Sequence, residues 1–201
     1  MNRLSILLLA TLVGILSGCD APPATQQANR PPATVAIRTV SMDAWHRGVT
    51  AAQAGRNDEA LAAYDRAIEA DENNFHALAD KGLLLSLEGR YAEGESYLSR
   101  ALAIAPDSIA VHYNCAIHHK LQGHLDRAAD EFRIVLAAQP KHPWSLYGLA
   151  TIYADRGETD PALDYLEQAV KADPATADAA RTQEHFAAMR ELPRFQTIVG
   201  E

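Results

Sequence analysis

Four glycines constrain this chain more than any other feature: Gly55, Gly89, Gly123 and Gly157 stand 34 residues apart. Other columns keep the same step. Gly48, Gly82, Ala116 and Ala150 form one, Ala60, Gly94, Ala128 and Ala162 another, and Tyr64, Leu98, Phe132 and Leu166 a third. Pro106, Pro140 and Pro174 share the spacing, with Glu72 in the slot before them. A fixed period of this length marks a chain that stacks copies of one small unit, each burying its apolar face against the next.

Each column has a physical reading. Small residues on two consecutive helices let their axes approach to about 8–10 Å. Tyr64, Leu98, Phe132 and Leu166 then fill the space beside them. The four glycines end the first helix of each pair, where a residue with positive φ is wanted. The prolines stop the second helix. The period predicts first helices over 41–54, 75–88, 109–122 and 143–156, and second helices over 57–70, 91–104, 125–138 and 159–172. Thr159 and Pro161 read as an N-cap and an early-turn proline. Apolar residues make up 48% of the chain, many of them Ala, which suits closely packed helices.

These columns resemble the tetratricopeptide repeat family. The resemblance implies an all-α, right-handed superhelical solenoid of four helix-turn-helix hairpins, over 41–74, 75–108, 109–142 and 143–176. Glu72 in place of Pro, Gly94 in place of Ala, and the lack of Trp at the fourth position of any repeat depart from the family pattern. Residues 177–201 are expected to close the stack. Phe186, Met189 and Leu192 mark one side of a capping helix over 177–192, Pro193 ends it, and Phe195 and Ile198 fold back on the same surface.

The N-terminus reads as an address. Arg3 precedes an apolar run from Leu4 to Leu16, and Ser17 and Gly18 lead to Cys19. The run is short for a membrane span, which takes roughly 20 residues. Leu16-Ser17-Gly18-Cys19 resembles a bacterial lipobox. That resemblance implies removal of a signal peptide over 1–18, acylation of Cys19, and a lipid-anchored protein facing the periplasm. Asp20 after the cysteine resembles an inner-membrane retention signal, with the outer membrane as the other possibility. Residues 19–40 would then be a lipidated, Pro-rich tether with a reach of up to ~3 Å per residue.

The chain carries a formal charge of −8 and no cluster of Lys and Arg, which argues against nucleic acid as a partner. His112, Cys115 and His119, spaced i, i+3 and i+7 with His118 adjoining, could share one helix face and an ion. The columns favour packing instead, because Leu78, Lys81 and Leu85 occupy these positions one repeat earlier, and Leu146, Leu149 and Tyr153 one repeat later. A metal- or haem-handling protein using His112, Cys115, His118, His119 and His124 is the second functional reading. No nucleophile elbow, HExxH, P-loop or GxGxxG motif is present. A Cys115–His119 nucleophile pair would lie at a packing position. The expectation is therefore a protein that is not an enzyme, with no catalytic residues, resident metal or cofactor.

The family resemblance assigns the concave face to the first helices. Carried over residue by residue, that face takes Trp45 and Val49 from the first repeat and His76 and Leu83 from the second. Tyr113, Asn114 and Ile117 come from the third, and Trp144, Tyr147 and Thr151 from the fourth. Asp80, Lys120 and Asp155 share the same inward register. Trp and Tyr dominate binding hot spots, so the face is expected to take an extended or helical peptide segment of a protein partner, making the chain a scaffold or adaptor in envelope assembly.

Overall fold

The computed structural model describes residues 37–200. The signal-like segment 1–18, Cys19 and residues 20–36 of the tether lie outside the described residues, as does Glu201. The fold is all-α. Helices pair as hairpins: α1 (Thr39–Gln53) with α2 (Asn57–Ala70), α3 (Phe75–Leu87) with α4 (Tyr91–Ile104), α5 (Ile109–Leu121) with α6 (Leu125–Ala138), and α7 (Pro143–Asp155) with α8 (Thr159–Ala172). Each first helix packs on its own second helix and on the next hairpin, which makes a solenoid. The helix bounds fall within two residues of those the period predicts.

The turn inside each hairpin repeats one hydrogen-bond pattern. Gly55, Gly89, Gly123 and Gly157 have φ between 72° and 79°. Past each glycine, a backbone N–H reaches back to a carbonyl of the last helical turn: Arg56 to Ala51, Arg90 to Leu85, His124 to His119 and Glu158 to Tyr153, each at 2.9 Å. This closure satisfies carbonyls that a helix end otherwise leaves bare. Between hairpins the signals vary. Asn74 and Ser108 accept from the N–H of Ala77 and Val111, whereas His142 accepts through Nδ1 from Ser145 with Pro143 at the first turn. Helix α1 starts at Thr39, inside the expected tether. The Arg38 backbone N–H donates to Asp71 Oδ2 at 2.9 Å, and its guanidinium donates to the Ala70 carbonyl at 3.0 Å. Thr159 is the first residue of α8 and makes no capping bond; the cap position belongs to Glu158.

The hairpin core is built as the columns require. A Cβ added at Gly48 would lie 2.4 Å from Tyr64 Cε1, and one at Gly82 would lie 2.8 Å from Leu98 Cγ and 2.9 Å from the Gly94 carbonyl oxygen. Ala116 and Ala128 pack with Phe132, and Ala150 and Ala162 with Leu166, all fully buried.

The C-terminal cap differs from the single helix expected over 177–192. It folds as α9 (Ala175–Thr182), a 3₁₀ segment over Glu184–Met189, and α10 (Pro193–Val199). Gln183, at ψ 134°, breaks the path. Pro193 opens α10 instead of ending a helix, its fixed φ and missing N–H both fitting a first helical turn. The breaks let Phe186, Met189, Phe195 and Val199 all reach the apolar face of α7 and α8, with Ile198 and Leu192 against the same cluster. A straight helix would carry most of them past it.

Two glycine substitutions separate the two requirements. Gly82→Ala forces a methyl against backbone and should cost about 1–3 kcal/mol of stability. Gly55→Ala meets nothing within 4 Å, so its cost should come from the left-handed backbone alone, about 1–2 kcal/mol. Urea unfolding followed by circular dichroism measures both. An unchanged midpoint for Gly82→Ala would contradict the close approach of α3 and α4.

Candidate functional site

The first helices share one face, and its centre is a line of hydrogen bonds running from repeat to repeat. Trp45 Nε1 donates to Asp80 Oδ2 at 2.7 Å, and Asn114 Nδ2 donates to Asp80 Oδ1 at 3.0 Å. Asp80 and Asn114 are 34 residues apart, so they are the same repeat position on successive helices. Stacking of hairpins brings such positions together, which no local motif reveals. Burial pushes the Asp80 carboxyl up, and the bonds from Trp45 and Asn114 oppose that shift. His76 stacks on the Trp45 indole, with centroids 4.8 Å apart and planes at 29°. Burial lowers the His76 pKa, with the Asp80 charge acting the other way.

Farther along, Tyr113 sits against Phe132 and His142, and burial pushes its hydroxyl up. Trp144 is edge-on to Tyr147 at 5.7 Å and is 38% exposed, the only large aromatic of the predicted groove set in the exposed class. Val49, Leu83 and Ile117 are half-buried. Two of the residues placed in the groove are not available on it. Asn114 is buried with its amide turned to Asp80, and Thr151 is 1% exposed with its hydroxyl donating to the Gly148 carbonyl. Both lie beneath the surface because neighbouring hairpins cover the sides of α5 and α7.

The cap also reaches the groove. Tyr147 packs on Phe186 at 5.8 Å, and its hydroxyl is buried without a partner among the described residues. Burial pushes its pKa to about 12. His185, from the 3₁₀ segment, lies 3.1 Å from Lys120 Nζ through Nε2 and 2.5 Å from Asp155 Oδ1 through Nδ1. Burial lowers the Lys120 pKa. Lys120 and Asp155 are thus held by the cap at the end of the face. His185 lies outside the repeats, so no column could have pointed to it.

The histidine cluster resolves differently from its sequence pattern. His112 is buried, with Nδ1 2.6 Å from Glu131 Oε2 and Nε2 2.7 Å from the Pro106 carbonyl oxygen, so both nitrogens are taken. Cys115 is buried, and desolvation, followed by the charges of Glu131 and Glu95, pushes its thiol to about 12. A thiol so placed is neither nucleophile nor ready ligand. The i, i+3, i+7 set is therefore not assembled. Among the described residues the group that does converge is Glu95, His118 and His119, whose ligand atoms lie within 4.8 Å of one another. Sequence reasoning singled out the two histidines but not Glu95, which comes from the preceding hairpin.

Tetratricopeptide repeat family profiles match residues 47–109 and 120–185. A curated relative, the probable UDP-N-acetylglucosamine–peptide N-acetylglucosaminyltransferase SPINDLY of Arabidopsis thaliana, is 28% identical over 97 residues. Those residues are 48% of this chain but only 11% of that protein. Among solved structures, TTC0263, a thermophilic repeat protein of Thermus thermophilus, superposes with a TM-score of 0.68 at 19% identity, covering 79% of this chain and 87% of that one. PilW, a widely conserved type IV pilus biogenesis factor, gives 0.59 at 20% identity, covering 79% and 82%. Helix pairing, glycine geometry and both profile matches agree: the chain belongs to the tetratricopeptide repeat family.

Proposed function

We propose that this protein is a membrane-anchored adaptor that holds a peptide segment of a protein partner on the face made by α1, α3, α5 and α7. Lipid on Cys19 would tether it to the bacterial cell membrane on the periplasmic side, with Asp20 favouring the inner membrane. The observation that carries the binding reading is the line Trp45–Asp80–Asn114. A carboxylate fixed by two side-chain donors beside stacked His76 and Trp45, with partly exposed Trp144 farther along the first helices, offers apolar area and oriented polar groups. The likeness to PilW supports a place in envelope assembly at the level of fold. Among the described residues no helix is long and apolar enough to cross a membrane. The anchor in this reading is the acyl chains, worth about 0.8 kcal/mol per buried methylene.

Trp144→Ala is the cleanest probe of the face, because Trp144 is more exposed than Tyr113 or Tyr147 and its loss should spare the core. Capture of partner from detergent-solubilised membranes by the full chain should weaken by ~2 kcal/mol, in the range of hot-spot truncations. Glu69→Ala, on the exposed side of α2, should leave capture unchanged. Equal losses from the two variants would move the site off this face.

Cys19→Ala tests the anchor separately. The variant should accumulate uncut or leave the membrane fraction, as read by its electrophoretic mobility and by sedimentation of membranes. Normal processing with full membrane retention would overturn the lipid reading and leave the groove reading standing.

A further inference from the structure

Three repeat columns change character at one place. Glu95 occupies the position of Leu61, Ala129 and Leu163; His118 that of Thr50, Leu84 and Ile152; His119 that of Ala51, Leu85 and Tyr153. Most of those counterparts are buried and apolar. Placing ligand-type side chains at all three positions of one junction costs packing that the other repeats keep, so the junction needs a compensating interaction.

The hydrogen bonds at this junction conflict with one another. The Ser86 hydroxyl donates to the Gly82 carbonyl at 2.7 Å. Its single proton is spent, so it accepts from Nδ1–H of His118, also at 2.7 Å. That leaves Nε2 of a neutral His118 ring with a lone pair. Two groups meet this nitrogen at 2.6 Å: the Gln122 side-chain amide and Glu95 Oε2. Their demands are opposed. An amide N–H suits a lone pair, whereas a carboxylate oxygen facing the same lone pair is repelled unless a cation lies between them. The His118 side chain is 1% exposed, so solvent cannot relieve the conflict. Alongside, Nδ1 of His119 is buried without a hydrogen-bond partner among the described residues. Gly94 belongs to the same arrangement. A Cβ there would lie 2.3 Å from Ser86 Oγ, so the glycine that departs from the repeat pattern makes room for the hydroxyl that orients His118.

We infer that Glu95, His118 and His119 bind one divalent transition-metal ion of the zinc class. Two imidazoles and a carboxylate form a borderline donor set that suits Zn²⁺ and its neighbours over Mg²⁺ or Ca²⁺. Tetrahedral coordination at ~2.0–2.1 Å sets ligand atoms ~3.3 Å apart. The three atoms here lie within 4.8 Å of one another. The adjustment falls to Glu95, whose side chain is 53% exposed and can turn, and to the Gln122 amide, which must swing off Nε2 for the ion to take that lone pair. Glu95 and His119 line an open cleft of ≈ 470 Å³, with His124 and Arg127 at its wall, so a fourth position is left for water or an incoming ligand. Ser86 is the orienting partner that a metal-bound imidazole ordinarily has on its other nitrogen.

The test uses the full chain, stripped of metal and titrated with ZnCl₂, with MgCl₂ as the comparison. The chain should retain about one equivalent of Zn²⁺ through desalting, and Co²⁺ in its place should give the intense visible bands of a tetrahedral site. Glu95→Gln and His119→Ala should each weaken Zn²⁺ binding by more than about 100-fold, and Ser86→Ala by about 10-fold, with helical circular dichroism retained. His112→Ala should leave binding unchanged, because both nitrogens of that ring are held elsewhere. No Zn²⁺ retained by the unaltered chain, or equal affinity in Glu95→Gln, His119→Ala and the unaltered chain, would overturn the site.

Discussion

The fold depends on helices in each hairpin approaching so closely that only Gly or Ala fits at the crossing. At Gly48 the neighbour is the ring of Tyr64; at Gly82 it is Leu98 and the carbonyl of Gly94 itself. The large residue is not simply buried, but occupies volume that the small residue vacates. Burial of a side chain of that size contributes about 1.5–3 kcal/mol, and that gain is available only when the opposite helix presents Gly or Ala. Because each hairpin solves this problem in the same way, the relative placement of α1, α3, α5 and α7 repeats, and so does the face that they share.

Repetition of geometry explains how polar groups can cross from one repeat to the next. Asp80 and Asn114 touch because equivalent positions on stacked hairpins are neighbours. Trp45 joins them from one repeat earlier. A carboxylate moved away from water loses hydration and recovers it only through well-placed donors. Here two side-chain donors are supplied by two different hairpins, so the carboxylate ties three repeats together. Occupancy of this face by a partner segment would act on the same residues that join the repeats.

Much of this was legible in the period. The glycine and small-residue columns located the hairpins and the close crossings because these features are local and recur in step. Where the period ends, reading fails for a physical reason. The cap has no second copy to compare, and Phe186, Met189 and Phe195 reach one face by way of a break at Gln183 that spacing does not announce. His185 was invisible for the same reason, although it links Lys120 to Asp155. Asn114 and Thr151 carried the inward register but lie beneath the surface, since register gives direction and not depth. The histidines were grouped along one helix, whereas the partner that matters, Glu95, arrives from α4 of the preceding hairpin.

A repeat protein offers an internal control that a single domain lacks. Each position has three counterparts in nearly the same surroundings, so a departure can be weighed against what the site tolerates elsewhere. Glu72 in the proline column leaves α2 ending where the period puts it, so that substitution alters little. Gly94 is different in kind. It replaces Ala without altering the bounds of α4, yet the methyl it omits would collide with Ser86 Oγ, whose bonds run to Gly82 and His118. Loss of a methyl from a buried crossing, gain of a hydroxyl opposite it, and two histidines and a glutamate in apolar columns are each unfavourable to packing alone. They occur together, in contact, at one junction of the stack. Local rules broken in concert are the mark of a site and not of drift, because independent lapses have no reason to share hydrogen bonds.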